Sequence, residues 1–228
     1  DLDALGVFTA EWTETVEQHF NHPSIVIWCP LNEAWSNLDD IGKERDIRFV
    51  ESVYQTTKII DSTRPCVDVS GGYHGKYTDL FDFHCYNSAE EIAGYIESIE
   101  KRGELVMDTL YDKEAVREGT VWDGKMPIHA SEYGGLAYSK KGKVNGLQCS
   151  VPCVQEQSAW GYNACADEDN FVEQYIKITE QFLGCDKICG FCYTQLYDVE
   201  QEQNGLYTYE RIAKFSQSAS ERIKECNC

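Results

Sequence analysis

Apolar residues recur along this chain in two rhythms. Short continuous runs bounded by turn residues read as buried strands at 25–28, 65–69, 80–86, 127–130 and 188–196. Between them the apolar positions fall every three or four residues. Ile47, Val50, Val53, Tyr54, Thr57 and Ile60 predict a helix over 46–60. Ile92, Tyr95, Ile96 and Ile99 predict one over 90–101, ended by Gly103. Phe171, Tyr175, Ile178 and Phe182 share a face over 171–183, and Tyr209, Ile212, Phe215, Ala219 and Ile223 share one over 207–224. An opening helix over 12–20 breaks at His22-Pro23-Ser24. Leu105-Val106-Met107 reads as a short strand or connection, 108–127 as a polar loop with some helix, and the stretch to about Cys165 as a long loop.

Strands and helices thus alternate, which argues for an α/β protein with parallel strands. About five strands are legible. A closed (β/α)8 TIM barrel needs eight and about 250 residues. The 228 residues therefore read as one domain, an incomplete barrel.

Charge and cysteine narrow the function. Asp and Glu number 39 against 20 Lys and Arg, a formal charge of -19. That surface repels nucleic acid. No apolar run reaches the length of a membrane span. The opening Asp1-Leu2-Asp3 has neither Met nor a signal-peptide pattern and reads as the interior of a longer chain, so localisation stays open. The 11 cysteines are an odd number, and spacing assigns no disulfides. Cys185, Cys189 and Cys192 raise a zinc alternative, but the latter two flank and enter an apolar strand and no fourth ligand follows nearby.

Two acids stand at strand ends: Glu33 after 25–28 and Glu132 after 127–130. Parallel strands of a barrel aim their ends at one rim. Two carboxyls on one rim can divide labour, one protonated and one ionised. Glycosidic hydrolysis needs such a pair. On spacing alone this signal is modest among 39 acidic residues, and both acids read first as charges at helix N-termini.

The surrounding residues add a resemblance. His22-Pro23-Ser24-Ile25-Val26-Ile27-Trp28 followed by Asn32-Glu33 resembles the acid/base segment of glycoside hydrolase family 2, the β-galactosidase, β-glucuronidase and β-mannosidase family. Ser131-Glu132-Tyr133-Gly134-Gly135 resembles its nucleophile segment at strand seven. Asp82-Phe83-His84-Cys85-Tyr86 resembles strand six. Tyr193-Thr194-Gln195-Leu196 and 198–206 resemble the strand-eight segment of one subgroup. The likeness covers strand four through helix eight. It implies a parent chain that also carries β-sandwich domains and the first half of the barrel.

By resemblance, Glu33 is the general acid and later base, and Glu132 the nucleophile. Asn32 would bind the hydroxyl beside the reacting carbon. Tyr86 would hold Glu132 ionised, and His84 would position a carboxylate or bind sugar. Trp28, Trp35, Trp160 and Tyr193 are candidate sugar platforms, each equally able to be core; the family often has Trp where Tyr193 stands. The run Lys140-Lys141-Lys143 follows the nucleophile segment and reads mainly as solvated surface. The implied activity is that of a retaining exo-β-glycosidase on terminal β-linked sugars, most like a β-galactosidase, with two carboxyls about 5 Å apart. No Asn-x-Lys signature of glucuronate recognition stands out, which favours a neutral sugar. No cofactor or metal is required, carbohydrate is the expected partner, and homo-oligomer formation is left open. The alternative is a carbohydrate-binding or inactive structural remnant, suggested by the missing strands.

Overall fold

The computed structural model describes residues 2–34, 37–38, 43–44, 47–71, 74–105, 122, 124–139, 145–146 and 160–227. Five α-helices occur among them: α1 (Leu5–His19), α2 (Ile47–Ile60), α3 (Ala89–Arg102), α4 (Glu168–Leu183) and α5 (Gln217–Cys226). Three longer strands, β1 (Phe81–Cys85), β2 (Ile128–Gly134) and β3 (Ile188–Thr194), form one sheet in that order. The fold is mixed α/β, an incomplete, unclosed barrel-like succession of helices and parallel strands. No described helix is long and apolar enough to cross a membrane.

The first expected strands survive as isolated parallel bridges, Trp28 with Cys66 and Asn32 with Ser70. Pro30 lies between the two bridges and has no N–H for a continuous ladder. Helix α1 begins well before the expected start at Trp12, and α5 begins ten residues after Tyr207. Residues 207–213 instead fold back, with Tyr207 bridging Ala213 and the Thr208 N–H donating to the Ile212 carbonyl at 2.8 Å. Tyr209 and Ile212, which suggested a helical face, are exposed. Leu105 is buried; residues 106–121 and 123 lie outside the described residues.

The chain divides into two compact units, residues 1–84 with 98–131, and residues 85–97 with 132–228. In the first, Val16, Trp28, Tyr54 and Cys66 form a buried cluster, packed by Trp12, Ile25 and Ile60. Each such large side chain contributes about 1.5–3 kcal/mol on burial. Polar ties fix the register: Trp12 Nε1 donates to Thr57 Oγ1 at 2.8 Å, and Trp28 Nε1 to Asp61 Oδ2 at 2.9 Å. Arg64 pairs with Asp61 at 2.6 Å and donates to the carbonyls of Phe20 and Ile25, clamping the chain where α1 ends.

The second unit is built on aromatic packing. Phe171 and Phe215 lie 4.6 Å apart between ring centroids, and Tyr133 and Phe182 5.0 Å. The face of α4 carrying Phe171, Tyr175, Ile178 and Phe182 is buried, as its spacing predicts. Asp167 caps its N-terminus by accepting from the Asn170 N–H, and Ser216 caps α5 through the Ala219 N–H.

Candidate active site

Each unit holds one expected carboxylate. Glu33 follows the parallel bridge at Asn32 and donates its N–H to the Ser70 carbonyl at 2.8 Å. Its backbone is left-handed, φ 48°, a conformation that costs a non-glycine residue roughly 1–2 kcal/mol. Its side chain turns to His84, whose Nδ1 lies 2.7 Å from Glu33 Oε1. Gly71, at φ 96°, makes room for this contact. A Cβ there would stand 3.0 Å from the His84 ring and 3.2 Å from Glu33 Cγ.

A polar chain continues behind His84. Its Nε2 lies 2.8 Å from Ser70 Oγ, which lies 2.8 Å from Ser131 Oγ. Ser131 Oγ donates to Asp82 Oδ1 at 2.7 Å. Asp82 also accepts the Gly71 N–H at 2.8 Å and faces His129 Nδ1 at 2.8 Å. The strand period explains the convergence: Asp82 and His84 share one face of β1, and His129 and Ser131 one face of β2. Nearby, fully buried His74 faces Asp68 at 2.6 Å. Burial opposes its charge, but the carboxylate of Asp68 outweighs this and raises its proton affinity.

In the second unit, Glu132 sits on β2, and the Tyr86 hydroxyl donates to its Oε2. Burial, then the negative charge of Glu132, pushes the Tyr86 phenol far above its ordinary value, so it remains a donor. The Tyr86 ring stacks on Tyr162 with centroids 3.5 Å apart, and Asn163 Nδ2 donates to the Tyr86 carbonyl at 2.9 Å. Glu202 is a further carboxyl of this unit, and it feels the charge of Glu132. Burial and repulsion from Glu132 push it up, against a 3.1 Å hydrogen bond from Asn204.

The other expected residues vary in setting. Asn32 is exposed. Trp160 is half-buried, bridged to Glu202, with its ring edge-on to Tyr162 at 5.8 Å. Tyr193 packs against Tyr133 and Tyr175; its hydroxyl donates to the Asn204 carbonyl and accepts the Leu136 N–H. Trp28 lies in the core of the first unit. Trp35, Lys140, Lys141 and Lys143 lie outside the described residues. Cys189 and Cys192 are exposed on β3, three positions apart and so on opposite faces, while Cys185 is buried. Cys29, Cys66, Cys85, Cys165, Cys185, Cys192 and Cys226 are free thiols.

Sequence reasoning passed over Ser70, Ser131, Asp82, His129, Tyr162 and Glu202 as site residues. The available signal was the polar residue at every second position of two otherwise apolar strands, Asp82 and His84, then His129 and Ser131.

The model of "Glycosyl hydrolases family 2, TIM barrel domain" matches residues 4–214. The chain belongs to glycoside hydrolase family 2. It is 28% identical to the β-glucuronidase of Homo sapiens over 126 residues, covering 53% of this chain and 17% of that protein. It is 35% identical to the β-galactosidase of Psychromonas ingrahamii over 80 residues, 35% of this chain and 7% of that protein. The solved β-D-glucuronidase of Dictyoglomus thermophilum superposes with a TM-score of 0.61 at 17% identity, covering 98% of this chain and 35% of that one. At that identity the likeness shows the fold. This family 2 chain thus spans about a sixth or less of these curated relatives' length.

Proposed function

We propose that the 228-residue chain is a carbohydrate-binding portion of a family 2 glycosidase that does not turn substrate over by itself. One observation carries this reading: the described longer strands make an open sheet of three, whereas a barrel that gathers a complete rim of site residues has eight. In this reading residues 1–228 are the C-terminal portion of one catalytic barrel domain, and the remaining strands and the β-sandwich domains belong to the parent polypeptide.

The parent would be a retaining exo-β-glycosidase, most like a β-galactosidase. Glu33 gives its proton to the leaving oxygen while Glu132 attacks the anomeric carbon, whose bond to that oxygen breaks with the electron pair leaving on oxygen. Glu33 then takes a proton from water, which displaces Glu132 from the glycosyl ester. Tyr86 donates to Glu132, and Asn32 to the neighbouring sugar hydroxyl. His84 positions Glu33, while Trp160 and Tyr193 shape the sugar site. No cofactor enters these steps.

The test compares the 228-residue chain with the parent, using aryl β-galactoside, β-glucuronide, β-mannoside and β-glucoside. The chain alone should bind sugar by calorimetry without releasing the aryl group; turnover by it would overturn the reading. That result would favour the second reading, intrinsic retaining activity, which the Glu33–His84 and Tyr86–Glu132 hydrogen bonds support. Glu132→Gln should then abolish release.

A further inference from the structure

The chain Glu33–His84–Ser70–Ser131–Asp82 lies within the first unit and has a direction that proton counting decides. An ionised carboxylate only accepts. Asp82 already takes the Gly71 N–H on Oδ1, and His129 faces its Oδ2. The 2.7 Å contact from Ser131 therefore places the Ser131 hydroxyl proton on the line to Asp82. A serine has one such proton, so at the 2.8 Å contact between the two hydroxyls Ser70 is the donor. Ser70 has then spent its own proton. At its 2.8 Å contact with His84 it accepts, and His84 Nε2 carries hydrogen.

That leaves one question at the other ring nitrogen. Nδ1 stands 2.7 Å from Glu33 Oε1. With Nε2–H fixed, a neutral His84 presents a lone pair at Nδ1. Two acceptors at that distance need one proton between them. Either Glu33 carries it as the acid, or Nδ1 carries it as an imidazolium beside the carboxylate. In the opposite neutral tautomer, Nδ1–H with bare Nε2, Oε1 of Glu33 is the acceptor, so no carboxyl proton can lie on this contact.

We propose that Asp82, Ser131 and Ser70 act as a tautomer lock on His84, keeping it in the Nε2–H form so that Nδ1 faces Glu33 as an acceptor and Glu33, as the acid, can hold its proton at Oε1. The inference deepens the reading of Glu33 as acid/base and rests on it for its functional meaning. Ser70, Ser131 and Asp82 are positioning residues. Seryl hydroxyls suit this place because each passes on the direction imposed by the carboxylate; alanine at either position cuts the line.

Long-range proton–nitrogen correlation on the whole 228-residue chain, labelled with nitrogen-15, reads the tautomer directly, with His84 assigned by the signal lost in His84→Asn. The native chain should show His84 protonated at Nε2. Ser131→Ala should admit the Nδ1–H tautomer, because Ser70 becomes free to turn its proton to Nε2. Ser131→Thr should restore the native pattern. A native His84 that is neutral with bare Nε2 would overturn the lock without any variant. So would His84 signals unchanged in a folded Ser131→Ala chain.

Activity of the parent separates the lock from the reading beneath it. If Glu33 is the acid, Ser131→Ala should slow an alkyl glycoside about tenfold more than a nitrophenyl glycoside, whose leaving group needs little protonation. Equal loss on both substrates would overturn the proposal by marking a merely structural role. Full activity of Glu33→Gln on the alkyl glycoside would instead sink the acid/base reading, while the tautomer measurement still stood or fell alone.

Discussion

At the residue scale, each expected carboxylate has a different partner. Glu33 meets an imidazole, which can exchange a proton with it; Glu132 meets a phenol, which can only donate while its own proton affinity stays high. The proposed roles of acid/base for Glu33 and nucleophile for Glu132 use these partners differently. Tyr86→Phe should therefore lower kcat of the parent by roughly 10- to 100-fold, the effect of losing a hydrogen bond to a charged group worth about 1.5–3 kcal/mol. Aryl glycoside kinetics checks it. In the isolated chain, tyrosinate absorbance up to about pH 10 should be the same in Tyr86→Phe and the native chain, since the Tyr86 phenol does not ionise there. Gly135 belongs to the same scale. It has φ 57°, and the Tyr86 and Tyr162 rings occupy the space a Cβ would take. The glycine pair that follows Glu132 and Tyr133 is legible in sequence, but the reason for Gly135, two stacked tyrosines, is tertiary.

At the element scale, caps and buried ties decide where helices stop and what they hold. Asp61 ends α2 and receives Trp28, Thr63 and Arg64. Burial acts against its charge, yet these donors hold it well below the ordinary carboxylate range. A depressed folded value contributes stability that is present above about pH 4 and is lost as pH falls through the folded value. Asp61→Ala should cost about 3–5 kcal/mol at pH 7 by leaving Arg64 unpaired. The gap from the native chain should narrow below pH 4, as urea midpoints across pH will show. Asp167→Ala should cost about 0.5–2 kcal/mol by uncapping α4, and Asp167→Asn much less. Denaturant titration of both variants compares them. The helix pattern located α2, α3 and α4 well because each buries one face. It overextended α5, because apolar residues at helical spacing also suit a folded-back loop. There Lys214 is buried against Asp198 at 2.8 Å and holds the chain as a hairpin instead.

For the whole molecule, burial of protonated side chains sets the response to alkali. Cys66, Cys85 and Cys165 are each pushed up to about 12, chiefly by burial. The phenols of Tyr54, Tyr86, Tyr133 and Tyr193 are raised as well, also chiefly by burial. Unfolding releases these protons once pH passes the ordinary thiol value of about 8.5 and phenol value of about 10. Stability is therefore fully present below pH 8.5 and declines above it, more steeply past pH 10, by up to about 1.4 kcal/mol per pH unit for each group. Urea midpoints measured from pH 7 to 11 should fall in that order; a flat profile would contradict the burial of these groups.

The sequence by itself determined the alternation of strands and helices, the family, and the two strand-end acids, because periodicity and motif residues are local. Only the tertiary structure decided what each acid touches. Ser131 lies 61 residues from Ser70 and 49 from Asp82, each is individually ordinary, and only the folded chain brings their hydroxyls and carboxylate within hydrogen-bond reach. Proton direction in such a chain depends on every link at once, so no single position in the sequence carries it.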